Sequence, residues 1–202
     1  MAATSWSPTD HTANITLSNA NLTMTFAQFG QLGGRSVDSF ASGKYYWEVT
    51  FPNGSASTTG SGIANAGATL TTFGAAGQAL VDTSGNIRVN GATISTIPNI
   101  AANGIACIAL DVGAALIWFR NGASGNWNNN AGFNPAAGTG GHSISAITGA
   151  LLAYGGDNNA NGQSIIANFG ATAFAGVPPG GFTPGLGTGL GASTQSRVMV
   201  MA

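Results

Sequence analysis

Ionisable side chains are so scarce in this sequence that its possible chemistry can be surveyed residue by residue. His11 and His142 are its only histidines and Glu48 its only glutamate, while the five aspartates, Asp10, Asp38, Asp82, Asp111 and Asp157, stand far apart. General acid–base catalysis draws mostly on His, Glu and Asp, and glycoside hydrolysis needs two carboxylates flanking one bond. No such pair is written in the sequence. Cys107 lies alone in the apolar run Gly104–Leu110, with no histidine or basic neighbour to favour its thiolate. It reads as a small buried apolar residue and leaves no intrachain disulfide. Asp111 follows that run, where its side chain can accept from the N–H groups of the next turn. Glu48, inside a β-prone run, is expected to pair with Arg35, Arg88 or Arg120. His142 reads as a loop or surface histidine and His11 as part of an N-terminal turn.

Metal and phosphate chemistry fare little better. Asp157, Asn159 and Asn161, followed by Gly162, match the first half of a calcium loop, with oxygen-bearing side chains at alternate positions. Asn168 stands where the bidentate glutamate belongs, so one carboxylate supports weak affinity at best, and a plain turn is the competing reading. The glycines of 187–191 lack the helix and lysine of a phosphate cradle. No cofactor is implied. A net charge of -1, with Lys44 the single lysine, gives no electrostatic footprint for nucleic acid. No window approaches the roughly 18 apolar residues of a membrane span, and the opening residues lack the basic start and apolar run of a secretory signal. Membrane insertion and export are therefore not expected, and synthesis in a cytoplasm is.

The elements that must carry these residues are strands. Short β-prone runs separated by turn residues recur along the 202 residues, with no convincing helical period. Along 45–51, Tyr45, Trp47, Val49 and Phe51 share one face and Tyr46, Glu48 and Thr50 the other. The first face is the expected core side. Asn90-Gly91, between two β-prone runs, supplies the positive φ angles of a tight hairpin turn, and Asn121-Gly122 repeats the signal. One all-β domain is expected over residues 1–186, followed by a Gly-rich linker and apolar tail over 187–202.

Several of these runs together resemble the SPRY domain. Gly43-Lys44-Tyr45-Tyr46-Trp47-Glu48-Val49 is similar to a strand near that family's start. Asn168-Phe169-Gly170, Phe174, Pro178-Pro179-Gly180 and Phe182 are similar to its closing motif. Between them stand Gly62-Ile63-Ala64-Asn65-Ala66 and the run from Gly104 through Asn121, and before them Trp6-Ser7-Pro8 with Ile15-Thr16-Leu17-Ser18. The loop from Gly125 through Gly141 resembles the bacterial and bacteriophage variant. The likeness spans about residues 6 to 186. It implies an antiparallel β-sandwich with long loops and short terminal extensions that binds through those loops and is not an enzyme.

On that reading the motif residues are core and the ligand contacts lie between the strands. Trp127 sits among Asn128, Asn129 and Asn130, with Phe133 nearby, in a loop longer than a connection needs. An aromatic face flanked by amides suits sugar or peptide recognition; the alternative is that Trp127 pins the loop to the sandwich. Tyr154 with Asp157, Asn158 and Asn159 forms a second candidate patch. The tail residues Val198, Met199, Val200 and Met201 either add a strand to a neighbouring sheet edge or are a strand packed on their own domain or a frayed end. Only 5% of residues are charged, against roughly 25% in an average domain, and little charge repulsion would keep copies apart. The expected role is a virion-associated protein of a bacteriophage, in head decoration or a fibre, on the virion surface. Its expected partners are capsid or tail proteins, further copies of itself, and a host surface glycan or protein. The alternative is an intracellular module that recognises a short peptide.

Overall fold

Period-two patterning becomes two stacked sheets in the computed structural model, which describes residues 3–54, 58–158 and 161–187. Its strands are β1 (Trp6–His11), β2 (Ile15–Ser18), β3 (Thr23–Phe26), β4 (Gln31–Phe40), β5 (Lys44–Phe51), β6 (Thr59–Asn65), β7 (Gln78–Asp82) and β8 (Asn86–Val89). They continue as β9 (Ala92–Thr96), β10 (Gly104–Asp111), β11 (Leu116–Asn121), β12 (His142–Ser143), β13 (Leu151–Asn158), β14 (Gln163–Asn168) and β15 (Thr183–Pro184). The first sheet runs in the order β1-β4-β13-β6-β7-β8-β9, and the second in the order β12-β11-β10-β5-β14-β3-β2, with β15 beside β5. Apart from that parallel β15–β5 contact, neighbours are antiparallel, as in β10 against β5 and β11. The expected all-β antiparallel sandwich is what the chain forms.

The faces that meet form the main core, where Trp6, Met24, Phe26, Trp47, Val49 and Phe51 are fully buried. As expected, Trp47, Val49 and Phe51 face inward. The opposite face of β5 is equally covered, since Tyr46 and Glu48 are buried as well. A second apolar cluster of Tyr46, Cys107, Ala109, Trp118, Trp127 and Phe182 lies there, outside the second sheet. Two segments cover it: the loop between β11 and β12, and the strap of residues 169–182 between β14 and β15. Apolar residues on both faces of one strand mean a strand with a layer on each side, which Tyr-Tyr-Trp-Glu-Val already spelled.

Turn chemistry is partly as read. Asn90 and Gly91 both have positive φ (50° and 93°) and close the β8–β9 hairpin. Asn121-Gly122 does not close a hairpin. Asn121 is the last residue of β11, paired with Ala106, and Gly122 at φ 71° leads the chain into the long loop. The β10–β11 turn falls earlier, at residues 112–115, with Ala115 at φ 52°.

Candidate functional site

A cross-strand row of four side chains underlies the strap, and three of them bond it. Asn168, Glu48, Cys107 and Arg120 are successive partners across β14, β5, β10 and β11. Asn168 accepts from the backbone N–H of Gly170 at 3.0 Å and donates to the carbonyl of Ala173 at 3.1 Å. Glu48 accepts from the N–H of Ala175 at 2.9 Å and of Gly176 at 2.7 Å, and from the Tyr46 hydroxyl at 2.6 Å. Arg120 donates to the carbonyl of Val177 at 3.4 Å. The strap thus crosses four strands along one polar row. A Cβ at Gly176 would stand 2.6 Å from the Arg120 guanidinium and 2.7 Å from the Tyr46 hydroxyl, so any larger residue there must displace one of them.

This row corrects the expected pairing of Glu48 with an arginine. Arg35 pairs with Asp10 at 2.8 Å and Arg88 with Asp82 at 3.4 Å. Arg120 instead lies over the Trp127 ring, 4.4 Å from its centroid. Asp111 behaves as its position suggested, accepting from the Ala114 N–H at 3.0 Å, and adds an ion pair with Lys44 at 2.9 Å. Burial alone would raise its pKa, but the Ala114 N–H and the Lys44 ammonium outweigh that and hold it below the usual carboxylate value. Burial pushes the Cys107 thiol up, against smaller opposing effects of Tyr46 and Arg120. A thiol kept protonated is a poor nucleophile. Burial and the neighbouring Cys107 and Glu48 likewise push the Tyr46 phenol far above its ordinary value.

The long loop after β11 is built from the inside. Asn128, at φ 46°, turns its amide inward. There it accepts from the Phe119 N–H at 2.9 Å and donates to the Gly140 carbonyl at 2.8 Å. The Trp118 indole donates to the Thr139 carbonyl at 2.8 Å. Asn134 caps the 3-10 turn Pro135–Ala137 through the Ala136 N–H. Trp127 is only 9% exposed and meets Tyr46 edge-on at 6.4 Å. Of the expected contacts, Trp127 and Asn128 are therefore packed inward, Phe133 is half-buried, and Asn129 and Asn130 face solvent. Pro98, Asn121, Ser124, Gly125, Asn126 and Asn129 line a cleft of about 280 Å³. It contains amides, a hydroxyl and backbone, and no charged side chain.

The second expected patch does not form a surface. Tyr154 and Asp157 are fully buried in β13, which is central between β4 and β6 and runs on to Asn158. The strand extends further than the asparagine-rich sequence suggested. Tyr154 packs in an apolar cluster with Phe73 and Leu80, and Asn158 accepts from the Gln31 amide at 3.0 Å. The calcium half-loop is divided in the same way, with Asp157 inside the strand and Asn161 exposed. Asn159 and the tail residues Val198, Met199, Val200 and Met201 lie outside the described residues. Among the described residues no group of three or more His, Cys, Asp or Glu converges as a metal site. His142 sits in β12 and not in a loop, half-buried, with Nε2 2.8 Å from the Ser95 hydroxyl.

The strap and its polar row escaped sequence reasoning, which took the closing motif as core alone. The signal was present in Glu48, a buried carboxylate flanked by apolar residues, because such a group must find donors.

No family model and no curated protein sequence matches the chain. Solved structures do. The SPRY domain of human HERC1 superposes with a TM-score of 0.68 at 14% identity, over 83% of this chain and 99% of that one. The PSpry domain of TRIM65 superposes with a TM-score of 0.60 at 12% identity, over 83% of this chain and 92% of that one. With two antiparallel sheets in this order and these structural neighbours, the chain is built on the SPRY-domain fold.

Proposed function

We propose that the chain is a non-enzymatic binding module that presents its loop face from the surface of a bacteriophage particle, as head decoration or part of a fibre. The observation that carries the binding reading is the loop after β11. Its inner residues are spent on the sandwich through Asn128, Trp118 and Trp127, so the outer amides of Asn126 and Asn129 stand on a fixed base beside an uncharged cleft. Preorganised polar groups of this kind favour binding by lowering its ordering cost. The described ionisable groups support the same reading, because Asp10, Asp82, Asp111 and Glu48 are all engaged in holding the fold. Structural neighbours that are SPRY domains add the prior of a protein-interaction module. Attachment to a particle draws its support from the very low charge of the chain and from the resemblance of residues 125–141 to the phage variant. A host surface glycan or protein is then the ligand of the loop face.

The test is mass spectrometry of density-purified particles from cells producing the protein. Stoichiometric co-sedimentation with a capsid or tail protein is the expected result, and the copy number separates decoration from fibre. A protein found only in the soluble fraction removes the particle reading and favours the alternative, an intracellular module that recognises a short peptide.

A further inference from the structure

The end of the sandwich at which the long loop begins is rich in amides and poor in charge. There the end of β5 lies beside the start of β10, the end of β11 lies on the far side of β10, and the end of β3 lies beside the start of β14. The connections at residues 27–30, 52–54, 97–103, 122–126 and 161–162 therefore open on one surface. None of these residues is charged. Two of the amides serve the fold, Asn53 accepting from the Ser164 N–H at 3.2 Å and Asn121 donating to the Asn99 carbonyl at 2.8 Å. Asn99, Asn103, Asn126, Asn129 and Asn161 are exposed, and their side chains enter no hydrogen bond among the described residues. A left-handed φ of 59° accounts for asparagine at 103 and at 129. It does not account for asparagine at 99, 126 and 161.

Apolar contact is available at two places on this surface. Pro98 lines the cleft of about 280 Å³ with Asn126 and Asn129. Phe29, in the β3–β4 turn, is 66% exposed and is the one aromatic among the large apolar side chains exposed in the described residues. Because β11, β10, β5, β14 and β3 are consecutive, four strand spacings of about 4.8 Å put cleft and ring on the order of 20 Å apart. A single small molecule cannot touch both. Asparagine supplies a donor and an acceptor from one side chain, which matches hydroxyl and acetamide groups, and an aromatic ring covers the apolar face of a sugar. The charge complement of an uncharged surface is an uncharged ligand. A protein partner would anchor on central aromatic or arginine side chains, whereas here a lone phenylalanine stands at the margin.

We infer that this end binds an extended, neutral, N-acetylated glycan, with one sugar in the cleft beside Pro98 and a later one stacked on Phe29. The inference rests on the proposed reading of the loop face as a binding surface and narrows its ligand from a glycan or protein to one class of glycan.

Calorimetry of the full chain with tetra-N-acetylchitotetraose and with N-acetylglucosamine tests it. The tetrasaccharide should bind at least about tenfold more tightly than the single sugar, because two contacts on one chain reinforce each other. Phe29→Ala should bring the tetrasaccharide down toward the single sugar. Asn126→Ala should weaken it about fivefold, the worth of a neutral hydrogen bond, with circular dichroism unchanged in both variants. A tetrasaccharide that does not bind, binds no more tightly than the single sugar, or is untouched by both substitutions would overturn the inference. A displayed random peptide library run in parallel separates that failure from failure of the wider reading. Peptides captured through Asn126 and Phe29 in place of the glycan would overturn the glycan and leave the binding surface standing, whereas capture of neither would overturn both.

Discussion

Glu48 shows how a single carboxylate can define a layer of structure. It is 4% exposed, yet the charge is matched by two backbone N–H donors and a phenol, and hydrogen bonds to a charged group contribute more than neutral ones. Glu48→Ala leaves the Ala175 and Gly176 N–H groups without their acceptor, so a loss of about 3 kcal/mol is expected. For a domain of this size that corresponds to a fall in Tm of roughly 6–12 °C. Glu48→Gln keeps one acceptor oxygen but turns an NH2 toward a backbone donor, and should fall between the parent and the alanine variant. Urea unfolding measures both, and a loss below about 0.5 kcal/mol for Glu48→Ala would mean the strap is held without Glu48, by Asn168, Arg120 and apolar packing. The sequence made the carboxylate visible but not its partners. Those partners are main-chain groups 127 and 128 residues away, and main-chain donors carry no signature in residue type.

At the scale of elements, strands were the most legible feature and their outer coverings the least. The alternation in Tyr45–Phe51 and the Asn90-Gly91 turn were readable because period and turn chemistry are local. The end of β13 was not, since Asp157 and Asn158 look like loop residues until pairing with β4 and β6 extends the strand over them. The inward turn of Trp127 was left open by the sequence for a similar reason: its partner Arg120 is on β11, and only the folded loop brings the two together. One further link joins the two sheets at their edges, where His142 on β12 meets Ser95 on β9. Burial lowers the His142 pKa below its ordinary 6.5, so the neutral ring is the one the fold favours. Its contribution is complete above the unfolded-state pKa and is lost as pH falls through the lowered folded-state value. The Tm of the parent should therefore decline between about pH 7 and pH 5.5, and His142→Gln should flatten that part of the profile. An equal decline in the variant would assign the pH dependence to other groups.

For the molecule as a whole, the placement of charge matters more than its amount. Three of the few cations, Arg35, Lys44 and Arg88, are neutralised by Asp10, Asp111 and Asp82, which leaves a surface of amides, hydroxyls, glycine and alanine with very little field. Such a surface gives copies no reason to stay apart, and low net charge favours association. With a pI near 6.0, light scattering of the parent should rise to a maximum around pH 6 and fall on either side. Lysines at the exposed positions Thr93, Ala114 and Ala150 would take the net charge from -1 to +2 and should move that maximum to higher pH without altering the fold. Association that stays constant from pH 5 to 9 in both proteins would point elsewhere, to a shaped interface between copies whose strength does not depend on net charge. Either outcome bears on assembly: a charge-governed surface needs another particle component to fix its position, whereas a shaped interface lets the copies order themselves.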